Sequence, residues 1–397
     1  MATRAEREAD LKFIKHREGR TKLIVPRRSL TEDPPPTSPV FFNPAASLNR
    51  DISVAVTSAG GGTTFCDSLA GVGARGLRVA KEVERIEKVS MVDFNSEALR
   101  LGEKAAVLNG VKRKCEFSKS ETCSYLYSRF GRDQKFDYVD VDPFGTPVRQ
   151  LQAALSATED DGILSITATD TAVLCGVYPR VSLRRYGAYP LNNNFHHETA
   201  VRILIGALAR LGGPLDTGIE SLVAHSTRHY LRVFVRVKVG ASKSDSALGQ
   251  LGYVAWCRAC GHLTESPDIQ RSCEECGGRV KAAGPLWLGT LIDDTLAVAA
   301  EKAAKRAGLT GAADVLASLV GVDVFPPWSY DIDEICSLLK VPTVSESEVR
   351  RRLESSGYTA FRQPFELTGL KTDADFEEVK NAVRSAATES RVKSLAR

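Results

Sequence analysis

Phe65-Cys-Asp-Ser-Leu-Ala-Gly-Val-Gly-Ala-Arg-Gly76 is the stretch on which the fold turns. It opens as a short apolar strand (expected over 65–69), turns on glycines, and runs into a helical pattern over 75–84. Gly71, Gly73 and Gly76 follow the spacing of a nucleotide-binding turn, where missing side chains permit a tight bend and close backbone approach. Asp67 closes the first strand, and Asp93 closes the next (88–92), where an acid meets ribose hydroxyls. NAD and S-adenosylmethionine both lay an adenosine across such a crevice, so the turn alone does not choose between them.

Outward from this unit the same rhythm continues. Helical patterns are expected over 97–109, 122–130 and 148–157, and strands over 115–117, 137–141 and 162–167. Such alternation implies parallel βαβ units with right-handed crossovers. A helix over 196–211 precedes strands over 220–225 and 230–239, an antiparallel pair joined by a short turn. The expectation is a seven-stranded sheet with one antiparallel strand. Residues 1–50 read as an extended lead-in, because Pro34, Pro35, Pro36 and Pro39 oppose a helix. Residues 169–195 read as a long loop, and loops of that length inside a compact domain are usually functional. Its Tyr178, Arg180, Arg184, Arg185, Tyr186 and Tyr189 suit an RNA backbone and unstacked bases. The small, polar stretch 241–247 is expected to divide the chain into domains 1–244 and 245–397. In the second, helices are expected over 332–339 and 346–355, and a first wing strand over 357–361.

The 397 residues are 43% hydrophobic and 26% charged, an ordinary globular balance. No run approaches the roughly 18 apolar residues of a membrane helix, and no signal-peptide core opens the sequence. A cytoplasmic protein is expected. The net charge of +4 permits a nucleic-acid partner without requiring one. Arg4, Arg7, Lys12, Lys15, Arg17, Arg20, Lys22, Arg27 and Arg28 crowd the beginning, either as a solvated face or as an arm for phosphates. Nine cysteines, an odd number, argue against a disulfide framework.

Asp142-Pro-Phe-Gly145 follows the strand at 137–141 and carries the most specific chemistry. A carboxylate accepts a hydrogen bond from an exocyclic N–H. Pro143 presents a carbonyl and no competing N–H, and Phe144 offers a face for a heterocycle. Such a set suits methylation of a nucleobase amine, whose delocalised lone pair needs orientation and charge stabilisation. With Asp67 it favours S-adenosylmethionine over NAD. Phe41, in Phe41-Phe-Asn-Pro44, is placed to supply a second face for a flipped base. Cys257, Cys260, Cys273 and Cys276 form two matched pairs that can close a tetrahedral thiolate site for structural Zn2+, within a ribbon over 253–281. Cys66, Cys115, Cys123, Cys175 and Cys336 read as small buried apolar residues.

With these motifs in hand, the chain resembles the archaeal tRNA guanine-26 N2-dimethyltransferases over nearly its whole length. Phe41-Phe-Asn-Pro44, Leu48-Asn-Arg-Asp51, Asp142-Pro-Phe-Gly-Thr-Pro147, Thr167-Ala-Thr-Asp-Thr171, His197-Glu198, His229-Tyr-Leu-Arg-Val-Phe-Val235 and the cysteine quartet carry the likeness. The resemblance implies a Rossmann-like class I methyltransferase sheet, mostly parallel with the last strand antiparallel, and a C-terminal α+β domain with a four-cysteine zinc ribbon. It implies cofactor contacts at Arg50, Asp67, Gly71, Gly73, Arg75, Asp93, Glu121 and Thr122, with Glu121-Thr122 standing where the family has Asp-Ala. It implies a catalytic set of Asp142, Pro143, Phe144 and Phe41, the two phenylalanines holding guanine. The cofactors are then S-adenosyl-L-methionine and structural Zn2+. The partner is tRNA, with no membrane, and the chain is expected to be a monomer. Near the C-terminus Arg362 and Lys371 are kept while Pro364 replaces the family's His, which alters any grip of that segment on tRNA. Three rival readings stand beside this one. They are an amino-methyltransferase for another RNA or DNA base, an NAD-linked oxidoreductase, and a non-catalytic zinc-ribbon RNA-binding protein.

Overall fold

The structure, a computed structural model, describes residues 12–129, 134–227, 229–365 and 369–395. Arg4 and Arg7 lie outside the described residues. The central sheet has seven strands in the order β5-β4-β3-β6-β7-β9-β8. These are β3 (Thr64–Asp67), β4 (Lys88–Asp93), β5 (Cys115–Lys119), β6 (Phe136–Val141), β7 (Thr158–Ala168), β8 (Thr217–Thr227) and β9 (Tyr230–Val239). The first five are parallel, and β9 lies antiparallel between β7 and β8. The expected sheet and its single reversed strand are both present.

The chain runs β3 to β5 in one direction, then returns past β3 to lay down β6 and β7 on the other side. Right-handed crossovers therefore put α2 (Ala74–Glu82) and α3 (Ser96–Leu108) on one face of the sheet. They put α4 (Thr122–Tyr127) and α5 (Val148–Ala157) on the other. The order reverses between β3 and β6, and the crevice outside their carboxyl ends is where open α/β sheets bind ligands.

Residues 1–50 are more ordered than an extended lead-in. An antiparallel hairpin, β1 (Phe13–Glu18) and β2 (Thr21–Pro26), turns at Gly19 and inserts Leu23 and Val25, both fully buried, into the core. Lys15, Arg17, Arg20 and Lys22 stay exposed. The prolines break regularity only after the hairpin, and α1 (Ser47–Ala59) begins soon after them. The expected loop 169–195 contains α6 (Thr171–Leu174) and α7 (Pro179–Tyr186). It leads into α8 (His196–Gly212), an almost wholly buried helix.

The expected linker 241–247 is helical, as α9 (Ala241–Leu248). Its serines and aspartate are poor helix formers, and tertiary packing overrides them. A Cβ on Gly218 of β8 would come 2.1 Å from the Lys243 carbonyl oxygen. The boundary at 244/245 thus falls inside a packed helix. Beyond it, β10 (Leu251–Cys257), β11 (Leu263–Ser266) and β12 (Val280–Trp287) make an antiparallel sheet in the order β11-β10-β12. Helix α10 (Asp294–Arg306) returns to pack on α1, and α11 (Thr310–Leu319) packs beside it. Strands β13 (Tyr330–Asp331), β14 (Ala360–Arg362) and β15 (Gly369–Thr372) form a third small sheet, with α12 (Ile332–Leu339), α13 (Glu346–Ser355) and α14 (Phe376–Leu395) around it. Both expected helices of the tail are present, and the wing strand starts at Ala360 rather than Gly357.

Lys371 does not face an RNA. It is buried in β15, its Nζ 3.0 Å from Glu198 and 2.7 Å from the Pro326 carbonyl oxygen. Glu198 of α8 is also bound by Arg202 at 2.8 Å and by Gln363. Burial raises the Glu198 carboxyl, but the Lys371 and Arg202 charges outweigh it and hold the group below its ordinary range.

Candidate active site

A cleft of about 320 Å3 opens at the carboxyl ends of β3, β4 and β6. Phe41, Arg50, Asp67, Gly71, Arg75, Asp93, Asp142, Pro143 and Phe144 all line it. Parallel strands end at a common edge, so acids from three distant stretches of chain meet there.

Arg75, at the start of α2, is the hub. Its Nε lies 2.9 Å from Asp140 Oδ2, its Nη2 donates to Asp142 Oδ2, and its Nη1 donates to Asn49 Oδ1 at 2.8 Å and to Ser53 Oγ. The Asp140 contact is an ion pair outside hydrogen-bond geometry, and among the described residues Oδ2 of Asp140 accepts no hydrogen bond. Asp140 and Asp142 stand two residues apart, which puts both on one face of the strand direction. The Asp140 Oδ1 atom accepts from Ser165 at 2.6 Å and from Arg232 of β9, whose Nη1 reaches Thr167 Oγ1 at 2.6 Å. Burial pushes the Asp140 carboxyl up, but the Arg232 and Arg75 guanidinium groups overcome it and hold it ionised. Asp67 has the opposite balance: burial first, then the Asp140 charge, raise it to about 7. The Gly76 N–H, 2.9 Å from Asp67 Oδ2, opposes this only in part.

Asp93 shapes the glycine turn. Its Oδ2 accepts from the Gly71 N–H at 2.7 Å and its Oδ1 from the Asn95 N–H at 2.8 Å. The exposed Phe94 ring lies beside it in the cleft wall. Arg50 lines the cleft but turns its guanidinium away to Glu18 of β1, with two contacts of 2.6 Å, and stacks over Phe42.

Phe41 and Phe144 touch edge to face, centroids 4.7 Å apart at 80°. In this arrangement no slot separates the rings. Phe144 is 70% exposed, hence the free partner. The turn carrying it is tied down at Gly145, whose N–H donates to Thr169 Oγ1 at 2.8 Å and whose carbonyl accepts from the Thr169 N–H at 2.9 Å.

Three expected cofactor residues stand outside the cleft lining. Gly73 has φ of 76°, and a Cβ there would come 2.8 Å from Met91 Sδ, so glycine serves the bend. Glu121 caps α4, accepting from the Cys123 N–H at 3.0 Å and the Ser124 N–H at 2.8 Å, and these N–H groups lower its carboxyl. The Thr122 hydroxyl donates to the Ser68 carbonyl at 2.9 Å. Sequence reading quoted Asn49 and Arg232 inside motifs without giving them a role, and passed over Ser53 and Asp140. The available signal was charge inside the apolar runs Phe136–Val141 and Tyr230–Val239.

The cysteine quartet lies apart from this cleft. Its four Sγ atoms sit within 4.8 Å of one another, with Cys257 to Cys276 and Cys260 to Cys273 each at 3.6 Å, so all are free thiols placed to hold one metal. Two tight turns present them, ending on Gly261 (φ 82°) and Gly277 (φ 67°). The His262 ring is not one of the four ligands; its carbonyl accepts from the Cys257 N–H and its own N–H points to Cys260.

A family model described as N2,N2-dimethylguanosine tRNA methyltransferase matches residues 19–384. The chain is 37% identical over 379 residues to a tRNA (guanine(26)-N(2))-dimethyltransferase of Methanopyrus kandleri, covering 94% of this chain and 97% of that protein. A protein of the same description from Methanosphaera stadtmanae is 35% identical, covering 92% of this chain and 95% of that one. Among solved structures, Trm1 from Pyrococcus horikoshii in complex with S-adenosyl-L-methionine superposes with a TM-score of 0.83 at 31% identity, covering 93% of this chain and 99% of that one.

Proposed function

We infer the chemistry of the cleft from one premise: the chain belongs to the N2,N2-dimethylguanosine tRNA methyltransferase family. It is an S-adenosylmethionine-dependent enzyme that methylates the exocyclic N2 of guanine 26 in tRNA, once and then again.

The cleft suits that cofactor. Asp93 closes β4 for ribose hydroxyls, the exposed Phe94 and Leu69 give an apolar seat for adenine, and Asp67 offers a carboxylate toward an ammonium group. When bound, the cofactor supplies an electrophilic methyl carbon on a sulfonium. Asp142 carries the reading. Arg75 holds its Oδ2, which fixes the carboxylate in place, while among the described residues nothing donates to Oδ1. That oxygen would accept an N–H of the guanine amine, align the nitrogen lone pair with the methyl carbon, and take up the proton as the N–C bond forms and the S–CH3 bond breaks to leave a neutral thioether. The Pro143 carbonyl accepts the second N–H in the first transfer. Phe144 swings from its edge contact with Phe41 to cover the base. Asp142→Asn keeps the shape and removes the charge, and should lower kcat by about 10^2- to 10^4-fold with cofactor affinity held. Nucleoside mass spectrometry of reacted tRNA, with the modified position mapped, reads both base and methyl number. Full turnover by this variant would remove Asp142 from the mechanism.

The thiol quartet fits Zn2+. Four thiolates about 2.3 Å from a tetrahedral ion stand about 3.8 Å apart, close to the 3.6 Å seen here. A site with four protein thiolates is closed, so its role is structural. Residues 1–244 carry the chemistry, and 245–397 hold the tRNA body. Among the described residues no helix is long and apolar enough to cross a membrane.

A further inference from the structure

Helix α7 is bonded through Tyr186 to Thr146, next to the Asp142–Gly145 turn, and has no role in the chemistry above. Residues 171–197 contain Arg180, Arg184 and Arg185 and no acid. The helix buries Ser182 and Tyr186, four residues apart on one face, and turns Arg180, Leu183 and Arg184 to solvent. Tyr178 and Tyr189, at its two ends, are 55% and 47% exposed. Cations flanked by exposed aromatic rings are what a single-stranded or flipped RNA segment meets, phosphates on the guanidinium groups and bases on the rings.

The buried face is wired to the catalytic turn. Tyr186 is 2% exposed. Its hydroxyl accepts from Thr146 Oγ1 at 2.9 Å and donates to Asp170 Oδ1 at 2.6 Å. Arg185 holds the other oxygen of Asp170 at 3.0 Å. Thr146 directly follows Asp142-Pro-Phe-Gly145, and Thr169, beside Asp170, grips Gly145 through two hydrogen bonds. One short helix thus joins an exposed basic face to the loop that must move when a base enters.

We propose that α7 is an RNA-docking platform, with Arg180 and Arg184 on tRNA phosphates, and that Tyr186 is a positioning residue that passes docking to the Asp142–Phe144 turn. This rests on the tRNA reading of the cleft. Phosphate contact pulls on the outer face of α7. The Tyr186–Thr146 hydrogen bond carries that pull to the turn, setting Phe144 for the base, so a correctly docked tRNA completes the site.

The full-length enzyme tests both halves. Arg180→Ala with Arg184→Ala should raise the tRNA KM roughly tenfold and reduce the slope of log(kcat/KM) against log[salt] by roughly 2, with cofactor Kd unchanged by calorimetry. Tyr186→Phe should instead lower kcat roughly five- to tenfold with tRNA KM and cofactor Kd unchanged. Thr146→Val, from the other side of the bond, should do the same, and the double variant should lose no more than either single one. An unchanged tRNA KM and salt slope in the arginine variant overturns the platform. Unchanged kcat in both single variants, or additive losses, overturns the coupling. Wild-type protein that binds tRNA but forms no N2-methylguanosine would sink the functional reading itself, a result distinct from either of these.

Discussion

Arg75 faces Asp140 and Asp142 directly and Asp67 nearby, and these carboxylates do not share its charge equally. Asp140 and Asp142 bind it, while at Asp67 burial and the Asp140 charge outweigh the Arg75 attraction and raise the carboxyl to about 7 from an ordinary value of 3.8. An acid whose folded value is raised favours the folded state below its unfolded value and loses that contribution as pH rises through the folded one. The window here runs from about pH 4 to pH 7, and the loss is on the order of a few kcal/mol. Asp67→Asn removes the titration and can still accept from the Gly76 N–H. Without cofactor, its Tm should come close to wild type near pH 4 and exceed it by a growing margin up to about pH 7. A constant difference across that range would mean Asp67 does not titrate there. Asp67, Asp93 and Asp142 were legible in the sequence because each closes a strand, where a parallel sheet gathers its ligands. Asp140 and Arg232 were not, because the partner that makes a buried charge tolerable lies about ninety positions away along the chain.

Elements were legible where hydrophobic period and length agreed, as in the βαβ units and α8. They were missed where tertiary contact alone makes the helix. Helix α9 is mostly serine, lysine and aspartate, and only Ser244 and Ala247 are buried. Helix α7 is short, opens on a proline and exposes most of its residues. Hairpin β1–β2 hid behind its charges, although Leu23 and Val25 alternate as an edge strand should. The cysteine knuckles were the opposite case, legible from spacing alone. They bring four thiols together on turns that bury little apolar surface. Chelation with excess EDTA should therefore lower the melting temperature of the ribbon, followed by hydrogen exchange over residues 253–281, while protection in β3, β4 and β6 stays. Equal loss of protection in the central sheet would show that the quartet supports the whole fold. Cys260→Ser should reproduce the chelated state.

At the scale of the molecule the two halves interpenetrate. Gly206 of α8 brings its backbone against β12, where a Cβ would stand 3.2 Å from Leu286 Cα, and Arg202 donates to the Trp287 carbonyl at 3.1 Å. The Glu198–Lys371 pair ties the last small sheet to the same helix. Lys371→Met would leave Glu198 with Arg202 and Gln363 only, and should cost about 3 kcal/mol, read as a lower urea midpoint. A neutral result would mean that Arg202 alone balances Glu198. Helix α1 carries the farthest consequence. It turns Asn49 and Ser53 toward Arg75 and is covered from outside by α10. More than two hundred residues separate Ala59 from Asp294. At ribosomal speeds of about 5–20 residues per second, a wall of the cleft is exposed for roughly ten seconds or more before its cover emerges. The nascent enzyme thus spends most of its synthesis with an unfinished active site, and its last third decides when that site closes.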